Sequence, residues 1–176
     1  MRKLVIASFA AALAAGCATM RDMMPASSQP TASASLAPTT GNTARGTVTF
    51  TPDGDEVRVR ANVSGLKPNA EHGFHVHEKG DCSSGDGMSA GGHYNPAGKP
   101  HGPQSSEHHA GDMPSLRADA NGNASASFEL KGVSVGGGSA DLVGKGLIVH
   151  RDPDDYRTQP TGNAGPRIAC AVIRKS

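Results

Sequence analysis

Large aromatic side chains and an excess of either charge are what this sequence lacks. The chain of 176 residues contains no tryptophan, two tyrosines and four phenylalanines, and its 17 Lys and Arg residues nearly balance 16 Asp and Glu residues. Because no segment forms a basic stripe, the sequence lacks the electrostatic footprint of a nucleic-acid-binding protein. It also lacks amphipathic segments with helical period, which disfavours a fold of alternating strands and helices.

Glycine and proline are abundant, with 23 and 12 residues, and they separate short segments in which apolar and polar residues alternate. Such alternation predicts half-buried strands, as in 56–63, and Pro52-Asp-Gly-Asp55 before that segment predicts a hairpin turn. The predicted strands are 34–38, 45–50, 56–63, 73–77, 115–120, 124–130, 146–150 and 168–173, with a turn at Asn121-Gly122. They indicate an all-β fold, an eight-stranded antiparallel β-sandwich or flattened barrel.

The N-terminal residues are typical of an export signal. Arg2 and Lys3 precede an uncharged apolar segment, 4–15, which is shorter than the roughly 20 residues of a membrane-spanning helix. Gly16-Cys17 follows as in a bacterial lipobox, where the cysteine becomes the lipidated first residue. The alternative is an ordinary signal peptide with a cysteine nearby.

We therefore predict a signal peptide at 1–16, a lipidated Cys17 with a flexible tether over 17–32, and one folded domain over 33–176. The tether residues have no apolar period and too few apolar side chains to fold on their own. This organisation predicts an exported, periplasmic protein that its lipid anchors to a membrane.

All eight histidines lie between His72 and His150. His75 and His77 are two residues apart in a predicted strand, so both rings point to one face of the sheet, as metal ligands would. The alternative is a histidine-rich strand on the surface.

Two long segments, 78–113 and 151–166, show no strand pattern, and loops of this length in a compact domain are usually functional or disordered. The first contains further candidate ligands, which are His93, His101, His108, His109 and Asp112. With the strand histidines they are too many for one four-ligand site, and imidazole suits both zinc and copper. The sequence therefore predicts two adjacent metal ions.

Two of the three cysteines, Cys82 and Cys170, fall inside the predicted domain. In an exported domain such a pair is expected to form a disulfide, which here would tie the first long loop to the last strand. The alternative is that Cys82 is a metal ligand or a free thiol.

Six motifs, in this order, resemble those of the copper,zinc superoxide dismutases, most closely the bacterial exported type. They are His72-Gly-Phe-His-Val-His-Glu78, Gly92-His-Tyr-Asn-Pro96, Lys99-Pro-His-Gly102, His109-Ala-Gly-Asp112, Val149-His150 and Gly162-Asn-Ala-Gly-Pro-Arg-Ile-Ala-Cys170. The resemblance covers about 33–176. It implies a Greek-key β-sandwich whose two long loops surround a copper and a zinc ion.

The resemblance also implies roles for individual residues. The copper ligands would be His75, His77, His93 and His150. The zinc ligands would be His93, His101, His109 and Asp112, so that His93 bridges the two ions. Asp154 would link a copper histidine to a zinc histidine, and Arg167 would lie beside the copper and attract the substrate. Cys82 and Cys170 match the family disulfide.

Two histidines have no place in these sets. His72 has the opposite strand parity to the two strand ligands, and we expect it to make a structural hydrogen bond. We expect His108 to be solvated, because the His-x-x-Asp spacing favours its neighbour His109 as the zinc ligand.

The function implied by the resemblance is superoxide dismutation, with Arg167 and His93 as catalytic residues. One superoxide would reduce Cu(II) and leave as dioxygen, and a second would reoxidise Cu(I), take up two protons and leave as hydrogen peroxide. The alternative is a non-catalytic copper- or zinc-binding protein on the same fold. The segment between Cys82 and His93 is longer than in eukaryotic members, where it helps to form the dimer, so any homodimer is expected to differ from theirs.

Overall fold

The computed structural model describes residues 31–176. Within this range the chain forms ten β-strands and one short 3-10 helix, Met88–Ala90, and no α-helix. The strands are β1 (Ala32–Pro38), β2 (Arg45–Asp53), β3 (Glu56–Ser64), β4 (Glu71–His72), β5 (Phe74–His77), β6 (Leu116–Arg117), β7 (Ala124–Lys131), β8 (Gly146–His150), β9 (Arg167–Val172) and β10 (Arg174–Lys175). The predicted signal peptide, Cys17 and all but the end of the tether lie outside the described residues.

Seven strands follow one another in the order β5-β8-β9-β1-β2-β3-β7, and β10 pairs with β1. Every pairing among them is antiparallel, and the neighbours that are distant in sequence make this a curled Greek-key sheet. The all-β, antiparallel fold is therefore confirmed. No helix in the described part of the chain is both long and apolar enough to cross a bilayer.

The alternation of β3 places its apolar side chains in the core. Val57, Val59, Ala61 and Val63 are all buried, while the residues between them face outward. Phe50, Phe74 and Leu147 from other strands join them in one continuous apolar cluster. Few large aromatic rings are needed here, because branched aliphatic side chains fill the space between the curled layers.

One predicted strand is much shorter than expected. Of the segment 115–120 only Leu116–Arg117 is extended, and it pairs with β4 in a separate two-stranded sheet instead of with β7. The Asp119 carboxylate accepts hydrogen bonds from the main chain of Asn121 and Asn123, at 2.8 and 2.9 Å. Because of these bonds, the predicted turn at Asn121-Gly122 already begins at Asp119, and the strand ends before it.

The predicted disulfide is present. Cys82 in the first long loop is bonded to Cys170 in β9, with Cα atoms 5.9 Å apart and a sequence separation of 88. This excludes Cys82 as a metal ligand or a free thiol. Closing a loop of that size stabilises the fold by about 4–5 kcal/mol in the chain-entropy view.

Candidate metal centre

Strand register brings three histidines to one face. Phe74 of β5 pairs with Val149 of β8, and the main-chain N–H of His150 donates to the carbonyl oxygen of Gly73 at 2.8 Å. His150 therefore lies level with position 73, which has the same parity as His75 and His77. Because paired residues of antiparallel strands share a face, the three rings meet on one side of the sheet.

The long loop 78–113 adds ligands from the free edge of β5. Val76 donates to the carbonyl oxygen of Gly111 at 2.9 Å and accepts from the N–H of Tyr94 at 2.8 Å. These bonds set His93 beside His77 and Asp112 beside His75. The contact requires glycine at 111, because a Cβ atom there would overlap the Val76 carbonyl oxygen.

The result is two buried clusters of potential metal donors, each with donor atoms within 4.8 Å of one another. We call the first the four-imidazole cluster; it consists of His75, His77, His93 and His150. We call the second the carboxylate cluster; it consists of His93, His101, His109 and Asp112. His93 belongs to both. The structure thus brings together all seven residues that the sequence singled out as ligands.

The carboxylate cluster has the spacing of a tetrahedral site. From Asp112 Oδ1, the Nδ1 atoms of His93, His101 and His109 lie at 2.8, 3.0 and 3.3 Å. The Nδ1 atoms of His93 and His109 are 3.5 Å apart. Ligands at about 2.0 Å from a tetrahedral zinc ion would be about 3.3 Å from one another. The donor set therefore fits zinc.

In the four-imidazole cluster, hydrogen bonds to carbonyl groups fix which ring nitrogen is free. His77 Nδ1 donates to the Gly91 oxygen at 2.9 Å and His150 Nδ1 to the Gly165 oxygen at 3.0 Å. Because a carbonyl oxygen can only accept, both Nδ1 atoms carry the hydrogen. The two Nε2 atoms are left as donors to a metal, and they lie 3.4 Å apart.

Unpaired nitrogen atoms complete this cluster. His75 Nδ1 and His93 Nε2 are buried and have no hydrogen-bond partner. Buried polar atoms are rarely left unsatisfied, and four neutral imidazoles are a donor set that suits copper. The residues therefore fit a copper ion here, with His93 reaching the other cluster through its Nδ1.

Asp154 connects the clusters a second time. Its Oδ2 lies 2.7 Å from His75 Nε2, and its Oδ1 lies 2.9 Å from His101 Nε2, with all three side chains fully buried. The carboxylate holds one ring of each cluster with its other nitrogen turned towards the metal donors. Gly162 packs against this contact with φ of +65°, and a Cβ atom there would overlap the Asp154 carboxylate.

Arg167 sits beside the four-imidazole cluster. Its guanidinium donates to the carbonyl oxygens of Gly87 and Gly91, both at 2.6 Å, and Gly91 is also the acceptor for His77. The half-buried cation is thus held next to a cluster ring by the loop that the disulfide anchors.

Burial and carboxylates shift the pKa values of the two clusters in opposite directions. Burial lowers the pKa of His75 to about 4 and that of His150 to about 3. Burial also acts to lower the pKa of His101, but the adjacent carboxylates of Asp112 and Asp154 outweigh it and raise that pKa to about 9. In the metal-free chain, His101 is therefore protonated at neutral pH and the other two are not.

The two remaining histidines lie outside both clusters. His72 is buried, and its Nδ1 donates to the carbonyl oxygen of His150 at 2.9 Å, which is the structural role predicted for it. His108 is partly exposed, with Nδ1 2.7 Å from the Ser106 carbonyl oxygen, and His109 is the residue that points into the carboxylate cluster.

Sequence reasoning missed the residues that join the two long loops. Tyr156 donates from its main-chain N–H to Asp154 at 2.7 Å, and its hydroxyl accepts from the N–H of Ser115 at 2.8 Å. The Gln159 side chain reaches the main chain of His101. No spacing in the sequence marks these contacts, because the partners are 41 and 58 residues apart.

Comparisons with known proteins agree with this geometry. The family described as Copper/zinc superoxide dismutase (SODC) matches residues 44–173. A Cu-Zn superoxide dismutase of Paramecium bursaria Chlorella virus 1 is 43% identical over 136 residues, which are 73% of this chain and 72% of the relative. Cu-Zn superoxide dismutase 2 of Aquifex aeolicus (strain VF5) is 45% identical over 123 residues, 67% of this chain and 72% of the relative.

Among solved structures, the clock protein EA4 superimposes with a TM-score of 0.75 at 36% identity, covering 84% of this chain and 95% of that one. The matching family implies copper and zinc as cofactors, and the two clusters provide donor sets that fit this pair. The chain belongs to the copper/zinc superoxide dismutase family.

Proposed function

We propose that this chain is a superoxide dismutase that converts two superoxide ions and two protons to dioxygen and hydrogen peroxide. The observation that carries the proposal is the sharing of His93 by two complete, buried donor sets. A protein for simple metal storage needs no residue common to two different sites. The relatives that are 43% and 45% identical carry the name of this activity.

In this proposal the four-imidazole cluster binds copper and the carboxylate cluster binds zinc. When bound, copper supplies the one-electron redox chemistry that oxidises one superoxide and reduces the next. His93 contributes a proton: its Nε2 is buried among the copper donors without a hydrogen-bond partner, while its Nδ1 lies 2.8 Å from Asp112. A nitrogen so placed can hold a proton for the reduced product and release it there.

Arg167 attracts and orients the small anion. Burial is the main cause of the lowered pKa values of His77 and His150, and the positive charge of Arg167 adds to it at both rings. The field of the guanidinium therefore reaches the copper side of the site. A cation held by two carbonyl groups at a metal cluster can raise the association rate of an anion by about tenfold at low salt.

Metal analysis with a dismutase assay on residues 31–176 tests the activity. We expect copper and zinc to be bound, activity to be lost on chelation, and activity to return when both ions are restored. Bound copper without dismutation would instead support the non-catalytic copper-binding protein on the same fold.

The steering role has its own test. Arg167→Ala should lower the rate at low ionic strength by about tenfold and flatten its salt dependence, whereas Arg167→Lys, which keeps the charge, should lose less. An unchanged rate and salt dependence in Arg167→Ala would exclude the role.

We also propose that the enzyme acts outside the cytoplasm as a lipoprotein of the bacterial exported type. The proposal is supported by the apolar segment after Arg2 and Lys3, by Cys17 at its end, and by a disulfide in the folded domain. Labelled palmitate should enter the wild-type protein in bacteria and not the Cys17→Ser variant. Secretion of an unlabelled wild-type protein would leave export in place and exclude the anchor.

A further inference from the structure

We propose that Gln159 is a positioning residue that determines how tightly the chain retains zinc. The inference rests on the proposed function in one respect, namely that the carboxylate cluster is the zinc site. It concerns a residue that touches no metal donor atom and that lies in the other long loop, 151–166.

The side-chain amide of Gln159 binds the main chain of His101 on both sides. The N–H of His101 donates to Gln159 Oε1 at 2.8 Å, and Gln159 Nε2 donates to the carbonyl oxygen of His101 at 2.9 Å. Within residues 31–176, these are the only hydrogen bonds that the His101 main chain makes. One amide group therefore holds both main-chain groups of His101, and the next N–H along the chain, that of Gly102, donates to Asp112 Oδ2 at 3.2 Å.

The ring of His101 is held from the same loop. Its Nε2 is 2.9 Å from Asp154 Oδ1, and its Nδ1 is turned to the carboxylate cluster, 3.0 Å from Asp112. Gln159 fixes where the residue lies, and Asp154 fixes how the ring is turned. Both are needed to bring Nδ1 to the ion, because a displacement of the backbone moves the ring with it.

The segment that carries Gln159 is folded by its own hydrogen bonds. Asp155 Oδ1 accepts from the N–H groups of Arg157 and Thr158, at 2.9 and 2.8 Å, and Gly162 donates to the Thr158 carbonyl oxygen at 2.7 Å. The amide is therefore presented by a preformed turn. Gln159 itself is exposed, so its replacement leaves no cavity in the core.

The effect should be confined to one metal. His101 belongs to the carboxylate cluster alone, and His75, His77 and His150 are placed by the register of β5 and β8. Loss of the Gln159 contact should weaken zinc binding, while three of the four copper donors lie on strands that Gln159 does not reach.

Substitutions at position 159 remove the contacts with His101 to different degrees. Gln159→Ala removes both hydrogen bonds to His101, together with a longer one from Gln159 Nε2 to the Arg157 carbonyl oxygen at 3.3 Å. Gln159→Glu keeps an acceptor for the His101 N–H but loses the donor and sets a carboxylate oxygen against the His101 carbonyl. Thr158→Val is a matched control, since it removes a neighbouring bond, from the Thr158 hydroxyl to Asp155 at 2.6 Å, and does not touch His101.

The experiment measures zinc affinity and zinc dissociation by competition with a chelator, copper affinity in the same proteins, and the visible spectrum of Co(II) bound in place of zinc. In Gln159→Ala we expect the affinity for zinc to fall about tenfold and zinc to dissociate faster, as for other residues that support a ligand. The Co(II) bands should also shift. Gln159→Glu should be at least as impaired, and Thr158→Val should resemble the wild type.

Three results in the variants would overturn the inference. The first is zinc affinity and a Co(II) spectrum in Gln159→Ala that match the wild type. The second is an equal loss of copper and zinc affinity, which would mean that the loop had merely loosened. The third is an effect of Thr158→Val as large as that of Gln159→Ala. A wild-type protein that bound no zinc would overturn the metal assignment itself, and the inference with it.

Discussion

The two clusters share His93 but are built in different ways. Three of the four imidazoles in the first come from β5 and the end of β8, where strand register fixes them. Every member of the carboxylate cluster comes from the loop 78–113. Main-chain bonds to Val76 fix His93 and Asp112 of this loop against β5, and side chains of the loop 151–166 hold His101. The first site is set mainly by strand register, and the second by the hydrogen bonds that hold a long loop to β5 and to the other long loop.

The two clusters also differ in the protonation of their side chains in the metal-free chain. In the first cluster, burial keeps His75 and His150 neutral, with pKa values of about 4 and about 3. In the second cluster Asp112 has a lowered pKa despite its burial, because His101 and His93 lie against it. The first cluster is ready for a cation, whereas the second carries a proton that must leave.

Removal of one ligand from each cluster should have the largest effects. His150→Ala should lower the dismutation rate by more than about a hundredfold. The loss of a residue that only supports a metal ligand already costs about 10–100-fold in metal affinity or activity. His109→Ala should abolish zinc binding and leave copper bound through the strand ligands. The measurement is copper and zinc content together with the rate. A His150→Ala protein with bound copper and full activity would contradict the assignment of this cluster.

The two clusters also differ in how far the sequence alone could predict their ligands. Strand parity alone placed His75 and His77 on one face, and short alternating segments predicted most strands. His150 joins them through the pairing of β5 with β8, which single-sequence patterns do not reveal. The long loop marked its histidines and Asp112 as candidate ligands, but only the resemblance of motifs assigned them to individual metal ions. Gln159 and Tyr156 were missed, since their partners lie in other loops and a polar side chain in a loop carries no signal of its contact.

A smaller effect is expected from a substitution of Asp154, the residue that joins the two clusters. Asp154→Asn keeps the size of the side chain but can accept from only one of the two rings that the carboxylate holds, those of His75 and His101. We expect zinc affinity to fall by about 10–100-fold and copper affinity by less, because β5 still holds His75 in place. Parallel titrations of the metal-free protein with each ion provide the measurement. Equal losses at both sites would show that the sheet does not set the first cluster independently.

The smallest step, about tenfold for each pH unit, is expected from a difference in pH dependence between the two ions. A pKa of about 9 means that His101 of the metal-free chain holds a proton at pH 7, and zinc must displace it. Zinc affinity should therefore rise about tenfold per pH unit between pH 7 and 9 and then level off. His75 and His150 release no proton on copper binding in this range.

The same proton acts on the stability of the metal-free fold, with the opposite sign. The pKa of His101 is raised above the ordinary 6.5, so the stabilisation by Asp112 and Asp154 is fully present below pH 6.5 and is lost as the pH rises through about 9. Zinc titrations and denaturant unfolding of the metal-free protein from pH 6 to 10 measure both. Zinc binding should strengthen over the interval in which this contribution to metal-free stability is lost. His101→Asn, which cannot titrate, should remove the pH dependence of the metal-free stability over this interval, and a slope that persisted in that variant would assign the proton to a different residue.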